Sequence, residues 1–165
     1  MQENKIGPYS LGGIKSFKGH EGEGCLQGTL LLNGKKIAEW SEDSWGGPMH
    51  FHFKTLEAEK AFFEEANRHK IAVEFAQEML KEYGVACADN NHADLVVSTI
   101  AMDLDLLKRQ EAQLKRWCKT KIVFRLPGDT EGEYRTLNVA YSATQHDKEM
   151  ERRFPGCEII NKRFL

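Results

Sequence analysis

Gln27-Gly-Thr-Leu-Leu-Leu-Asn33-Gly34-Lys35-Lys-Ile-Ala-Glu-Trp-Ser-Glu42 is the stretch that decides the fold. An Asn-Gly pair supplies the positive φ angles of a type I′ turn, and the runs on either side have the composition of antiparallel strands. Upstream, Ile14 to Lys18 is a short alternating run, and Gly19-His-Glu-Gly-Glu-Gly24 separates it from a strand beginning at Cys25. Downstream, Trp45-Gly-Gly-Pro48 turns the chain into Met49-His-Phe-His-Phe53, which alternates polar and apolar residues and predicts a further strand. Residues 1–54 therefore read as a β-rich part.

The period then changes. Thr55 is placed to cap a helix, with Glu57 and Glu59 in the first turn where the helix dipole favours anions. Phe62, Ala66, His69, Val73, Ala76 and Leu80 follow i+3/i+4 spacing, predicting one long helix ended by Gly84. His69 lies within that stripe and is expected to be a hydrogen-bonded core residue. After a link from Val85 to Asn91, with Asn90 or Asn91 as cap, a second helix is expected toward Trp117, with Ile100, Leu104, Leu107, Leu114 and Cys118 on one face. Two helices joined by a short link predict a helical hairpin over residues 55–118.

From Lys119 the period returns to two. Lys121, Val123 and Arg125 alternate with Ile122, Phe124 and Leu126, and Pro127-Gly-Asp129 turns the chain toward a partner strand over Glu133 to Ala140. Gln145 to Phe154 reads as a short charged helix, and Glu158 to Phe164 as an edge strand or docking tail. The whole predicts one α+β domain over residues 1–165: an N-terminal antiparallel sheet, a central helical hairpin, and a C-terminal β-hairpin with a short helix and tail over residues 119–165.

The totals set bounds on function. With 41% hydrophobic and 29% charged residues, the composition is that of a globular chain. No apolar run approaches the roughly 18 to 20 residues needed to cross a bilayer, and Met1 to Ser10 lack a secretory signal, so a cytoplasmic protein is expected. Cys25, Cys87, Cys118 and Cys157 have no short ligand spacing and read as free thiols. Residues 1–107 hold 10 basic and 17 acidic residues against 13 and 8 in residues 108–165, a split of −7 against +5. Such a split marks either an anion-binding face or two halves that attract one another.

No complete catalytic or cofactor motif is present, so no cofactor and no catalytic residue is expected. The glycine-rich loop offers His20, Glu21 and Gly22 as ligand contacts, yet it leads into a strand and lacks the helix that a phosphate loop requires. Trp45, beside two glycines and Pro48, suits an exposed turn that presents a stacking surface. Lys119, Lys121 and Arg125 alternate along a predicted strand, with Arg135 across the hairpin and Tyr134 or Tyr141 able to stack on a base. Asp129, Glu131 and Glu133 weaken that field. His50 and His52 share one strand face and would need a third metal ligand from Asp43, Glu42 or His20.

Two blocks of the sequence resemble small accessory proteins encoded by tailed bacteriophages. One runs from Ile14-Lys-Ser-Phe-Lys-Gly-His-Glu-Gly-Glu-Gly24 through Asn33-Gly-Lys-Lys36 to Trp45-Gly-Gly-Pro48; the other comprises Cys118-Lys-Thr-Lys121, Phe124-Arg-Leu126, Gly128-Asp129 and Gly132-Glu-Tyr-Arg-Thr-Leu137. The resemblance covers less than half of the chain and implies a setting inside an infected bacterium, where antagonism of host defence is a frequent task. The expected function is a non-enzymatic antagonist that binds or sequesters a host protein or a nucleotide-like ligand, alone or as a homo-oligomer. A nucleic-acid-binding module using the basic hairpin and a metal-dependent hydrolase using His50 and His52 are the alternatives. The first reading expects the loop around Gly22, Trp45 and the basic hairpin to meet as one recessed surface.

Overall fold

A computed structural model describes residues 4–86 and 91–165. The protein is α+β, with four α-helices and two antiparallel sheets among the described residues. It divides into two compact units, the first running to Leu106 and the second from Leu107 to Leu165.

In the first unit five strands follow one another in sequence order across a single sheet: β1 (Lys5–Ile6), β2 (Tyr9–Lys18), β3 (Gly24–Leu32), β4 (Lys35–Ser41) and β5 (His50–Phe53). The turn at Asn33-Gly34 has φ of 48° and 80°, the left-handed pair that the sequence demands. The first run is longer than its sequence suggests, because β2 extends back to Tyr9 and carries an irregularity between Gly12 and Lys15. Alternation sorts the faces. Leu26, Leu30, Ala38 and Trp40 are buried with Phe62, Ala66, Val96, Val97 and Ile100 of the helices, whereas Gln27, Glu39 and His52 point the other way and stay outside the core. Gly28 lies opposite Trp40, and a Cβ there would sit 2.8 Å from the indole Cζ2, so the glycine makes room for the ring.

The single long helix expected over residues 55–84 is two helices, α1 (Leu56–Arg68) and α2 (Lys70–Tyr83). Thr55 caps α1 through Oγ1, which accepts the amide of Ala58, and Gly84 ends α2 with φ 66°. His69 breaks the run: at φ −65°, ψ 143° it ends α1, and its Nδ1 accepts the amide of Ile71 to start α2. Its other ring nitrogen is buried without a partner. Only the i+3/i+4 pattern was visible in sequence, and that pattern passes through the break unaltered. Three helices therefore replace the expected pair.

The third helix, α3 (Ala93–Cys118), begins where Asn91 Oδ1 accepts the amide of Ala93. The Asn90 alternative and Cys87 lie outside the described residues. Ile100 and Leu114 of its expected apolar face are buried, but Leu107 is 53% exposed.

In the second unit, β6 (Ile122–Arg125) is the middle strand of three, flanked by β7 (Arg135–Leu137) and β8 (Glu158–Ile159), with α4 (Ala143–Arg153) between the last two in sequence. A short 3₁₀ helix, Ile160–Phe164, follows. The expected polar face of β6 does not exist along its length. Ile122 and Phe124 pack with Met150 and Ile159, while Val123 packs on the other side with Leu114 and Ile160. Asn161, 2% exposed, holds this arrangement: its Oδ1 accepts the amide of Val123 at 2.7 Å, and its Nδ2 donates to the carbonyls of Cys118 and Lys121. A buried polar side chain with every bond satisfied fixes one register.

No helix among the described residues is long and apolar enough to cross a membrane.

Candidate functional site

The first unit brings His20, Glu21, Gly22 and Trp45 together at one end of its sheet. The loop between β2 and β3 meets the turn after β4, where the amide of His20 donates to the carbonyl of Ser44 at 2.9 Å. The imidazole of His20 stacks on the indole of Trp45, with ring centroids 3.5 Å apart and planes 21° from parallel. Asp43 fixes the turn from within, its carboxylate accepting the amides of Trp45 and Gly47. Trp45 is nonetheless 72% exposed. A large ring is thus held in place and offered to solvent at the same time.

The loop itself is closed to anions. Glu23 turns back over it, its side chain accepting the amide of Glu21 and its carbonyl that of Gly19, while the amide of Gly22 donates to the carbonyl of Gly19. With the amide of His20 engaged as well, the backbone donors that would cradle a phosphate are already used, and a carboxylate sits where the phosphate would be. The surroundings are acidic. Cys25, beneath the loop, has its thiol pushed up by burial and then by Glu23, Glu42 and Asp43. Glu42 is a fixed structural group, accepting the amide of Leu26 and the hydroxyl of Ser98.

His50 and His52 occupy the outer face of β5 as the alternation requires. Nε2 of His50 lies 3.9 Å from Asp43 Oδ1, and His52 lies opposite Glu39 on β4. Among the described residues no group of three or more His, Cys, Asp or Glu side chains is placed to hold a metal ion. The ligand set that a metal-dependent hydrolase would need is therefore not assembled by these residues. His52 instead borders a polar bowl of about 310 Å³ on the sheet, with Lys15, Thr29 and Glu39 around it.

In the second unit the basic hairpin is largely neutralised from within. Arg135 makes a bidentate pair with Asp129, at 3.0 and 2.8 Å, and Asp129 also accepts the amide of Leu126. Those bonds, that of Arg135 first, hold the Asp129 carboxyl down to about 2. Arg125 pairs with Glu158 on the neighbouring strand at 3.0 Å, and Arg163 bonds the same carboxylate. Lys119 and Lys121 are not on the strand: they form the turn between α3 and β6. Tyr134 packs against the cluster of Leu114, Val123 and Ile160 and is not presented for stacking.

No family model, curated protein or solved structure matches this chain. What it does must be read from the two units themselves, each carrying part of the set singled out by sequence. The inter-loop amide bond and the carboxylate turn of Asp43 escaped sequence reading, although Asp43-Ser-Trp-Gly-Gly47 is the composition of a side-chain-capped turn. Among the described thiols, burial comes first of the causes that raise Cys25, Cys118 and Cys157, the opposite of what activates a nucleophile.

Proposed function

We propose that this chain is a non-enzymatic binding protein that captures a protein partner through the tip built by His20, Glu21 and Trp45. In the phage setting that its sequence resemblance implies, the partner is a component of host defence. The observation that carries this reading is the state of Trp45: exposed, yet clamped by a stacked imidazole and a hydrogen-bonded turn. Free aromatic side chains on a surface cost solvation, and ordering them on binding costs entropy. A ring ordered in advance avoids the second cost, and aromatic anchors of this kind dominate interface energies. Glu21, Glu23 and Asp43 around it give the tip a negative rim, which suits a partner with a basic patch.

The test is capture from bacterial lysate by the wild-type chain and by Trp45→Ala, read by quantitative mass spectrometry together with thermal melting. A stoichiometric partner retained by the wild type should be lost by about tenfold or more with Trp45→Ala, the size of a hot-spot truncation. Melting should stay within a few degrees, as for about 0.5 kcal/mol at a surface site. Equal capture by both chains would refute the proposal.

A further inference from the structure

A cavity of about 630 Å³ lies within the second unit, between the end of α3 and the 3₁₀ helix, and none of the tip residues contributes to it. Its walls differ in kind. Lys115, Lys119 and Arg163 bring three cationic side chains, and among the described residues no acidic side chain lines it; Tyr141 and Phe164 supply ring surface. The volume falls in the range of small-molecule sites, and the mixture of ring faces with a few converging charges is what such sites use.

The lining is held from behind. Asn161, with its three bonds to Val123, Cys118 and Lys121, fixes the back wall. The hydroxyl of Tyr141 donates to Asp147 at 2.6 Å, and Asp147 pairs with Lys162 at 2.8 Å, which anchors the tyrosine ring. The ammonium of Lys115 stands 5.7 Å from the centre of the Phe164 ring. Lys115 and Arg163 each have a carboxylate partner, Glu111 and Glu158, whereas Lys119 has no ion-pair partner among the described residues. One uncompensated cation flanked by two others and facing two rings is a phosphate position next to a stacking position.

We infer that this cavity binds a small phosphate-bearing aromatic ligand, a nucleoside phosphate being the simplest member of that class. Lys119 neutralises the phosphate, Arg163 and Lys115 flank it, and Phe164 or Tyr141 stacks on the base. A long polyanion fits less well, because Arg125 and Arg135, which would extend the basic track along β6 and β7, are already paired with Glu158 and Asp129. The lining shares no residue with the capture tip, so either assignment survives the failure of the other.

The experiment is titration of the full chain with adenosine monophosphate, adenosine and inorganic phosphate, followed by calorimetry and by amide chemical shifts. The nucleotide should bind about tenfold more tightly than either fragment, because only it uses both walls. Lys119→Ala should weaken it by about fivefold or more, through loss of a charge-assisted bond. Lys119→Arg should restore much of the affinity, and Trp45→Ala should leave it unchanged. Melting temperatures of the two Lys119 variants check that they fold; neither side chain is in the core. Equal binding by Lys119→Ala would overturn the assignment, as would binding of phosphate alone as tightly as the nucleotide. So would preference for single-stranded RNA with a steep loss of affinity in salt.

Discussion

Two strands with similar-looking sequences end in opposite circumstances. His50-Phe-His-Phe53 forms the edge of the first sheet, and its histidines face outward while both phenylalanines turn to the core beside Phe62 and Phe63. Ile122-Val-Phe-Arg125 is the centre of the second sheet, and Val123, at 0% exposure, is as buried as Ile122 and Phe124. Alternation reports a face exposed to water only where one face is in fact wet. At β6 the tail of the chain covers the side that the pattern assigns to solvent, through Ile160 and Phe164.

The contrast can be broken most sharply by placing the same residue at both positions. Val123→Thr puts a hydroxyl into the apolar packing of the second unit around Leu114 and Ile160, and should cost about 2 kcal/mol in urea unfolding followed by the fluorescence of nearby Trp117. A loss below about 0.5 kcal/mol would mean that this face of β6 is wet.

A smaller effect is expected from acid. Asp129 has its folded carboxyl depressed to about 2 from an ordinary 3.8, so its contribution is fully present above pH 4 and fades as the pH falls toward 2. Asp129→Asn should flatten the dependence of melting temperature on pH in that window while leaving the slope above it unchanged. An identical acid slope in the variant would remove the Asp129–Arg135 pair from the stability of the hairpin. The least effect belongs to His52→Thr on β5, which should shift unfolding by no more than about 0.5 kcal/mol, since its exposed face asks only for a strand-forming residue. A cost equal to that at Val123 would erase the distinction between the two strands.

The sequence was most legible where backbone chemistry leaves one option. Asn33-Gly34, the Thr55 cap and the Gly84 stop all lie where their conformational preferences put them. It was least legible where two segments distant in the chain decide the outcome. The break at His69 escaped for a separate, local reason: a ring nitrogen takes an amide two residues on, which i+3/i+4 counting does not register. The basic residues were identified correctly as residues but not as a field, because Glu158 and Asp129 reach Arg125 and Arg135 only after the strands pair. At the tip, Trp45 beside two glycines announced an exposed ring, whereas its partner His20 is 25 positions away and only the folded loops bring them into contact. The cavity of the second unit drew on Lys119 and Tyr141 from the ligand contacts picked out by sequence, whereas Arg163 and Phe164 belong to a tail with no periodic signal.

Three sheet borders are short, β5 with four residues, β7 with three and β8 with two, whereas β1 pairs only with Tyr9 and Ser10 of the ten-residue β2 and leaves the rest of that strand running beyond it. A border of two to four residues exposes few amides and carbonyls to recruit a strand from another molecule, and on the longer β2 side the irregularity between Gly12 and Lys15 interrupts the run. Strand addition from another molecule thus has little to build on at β5, β7 and β8, and the stretch of β2 beyond Ser10 is where a template for it would lie.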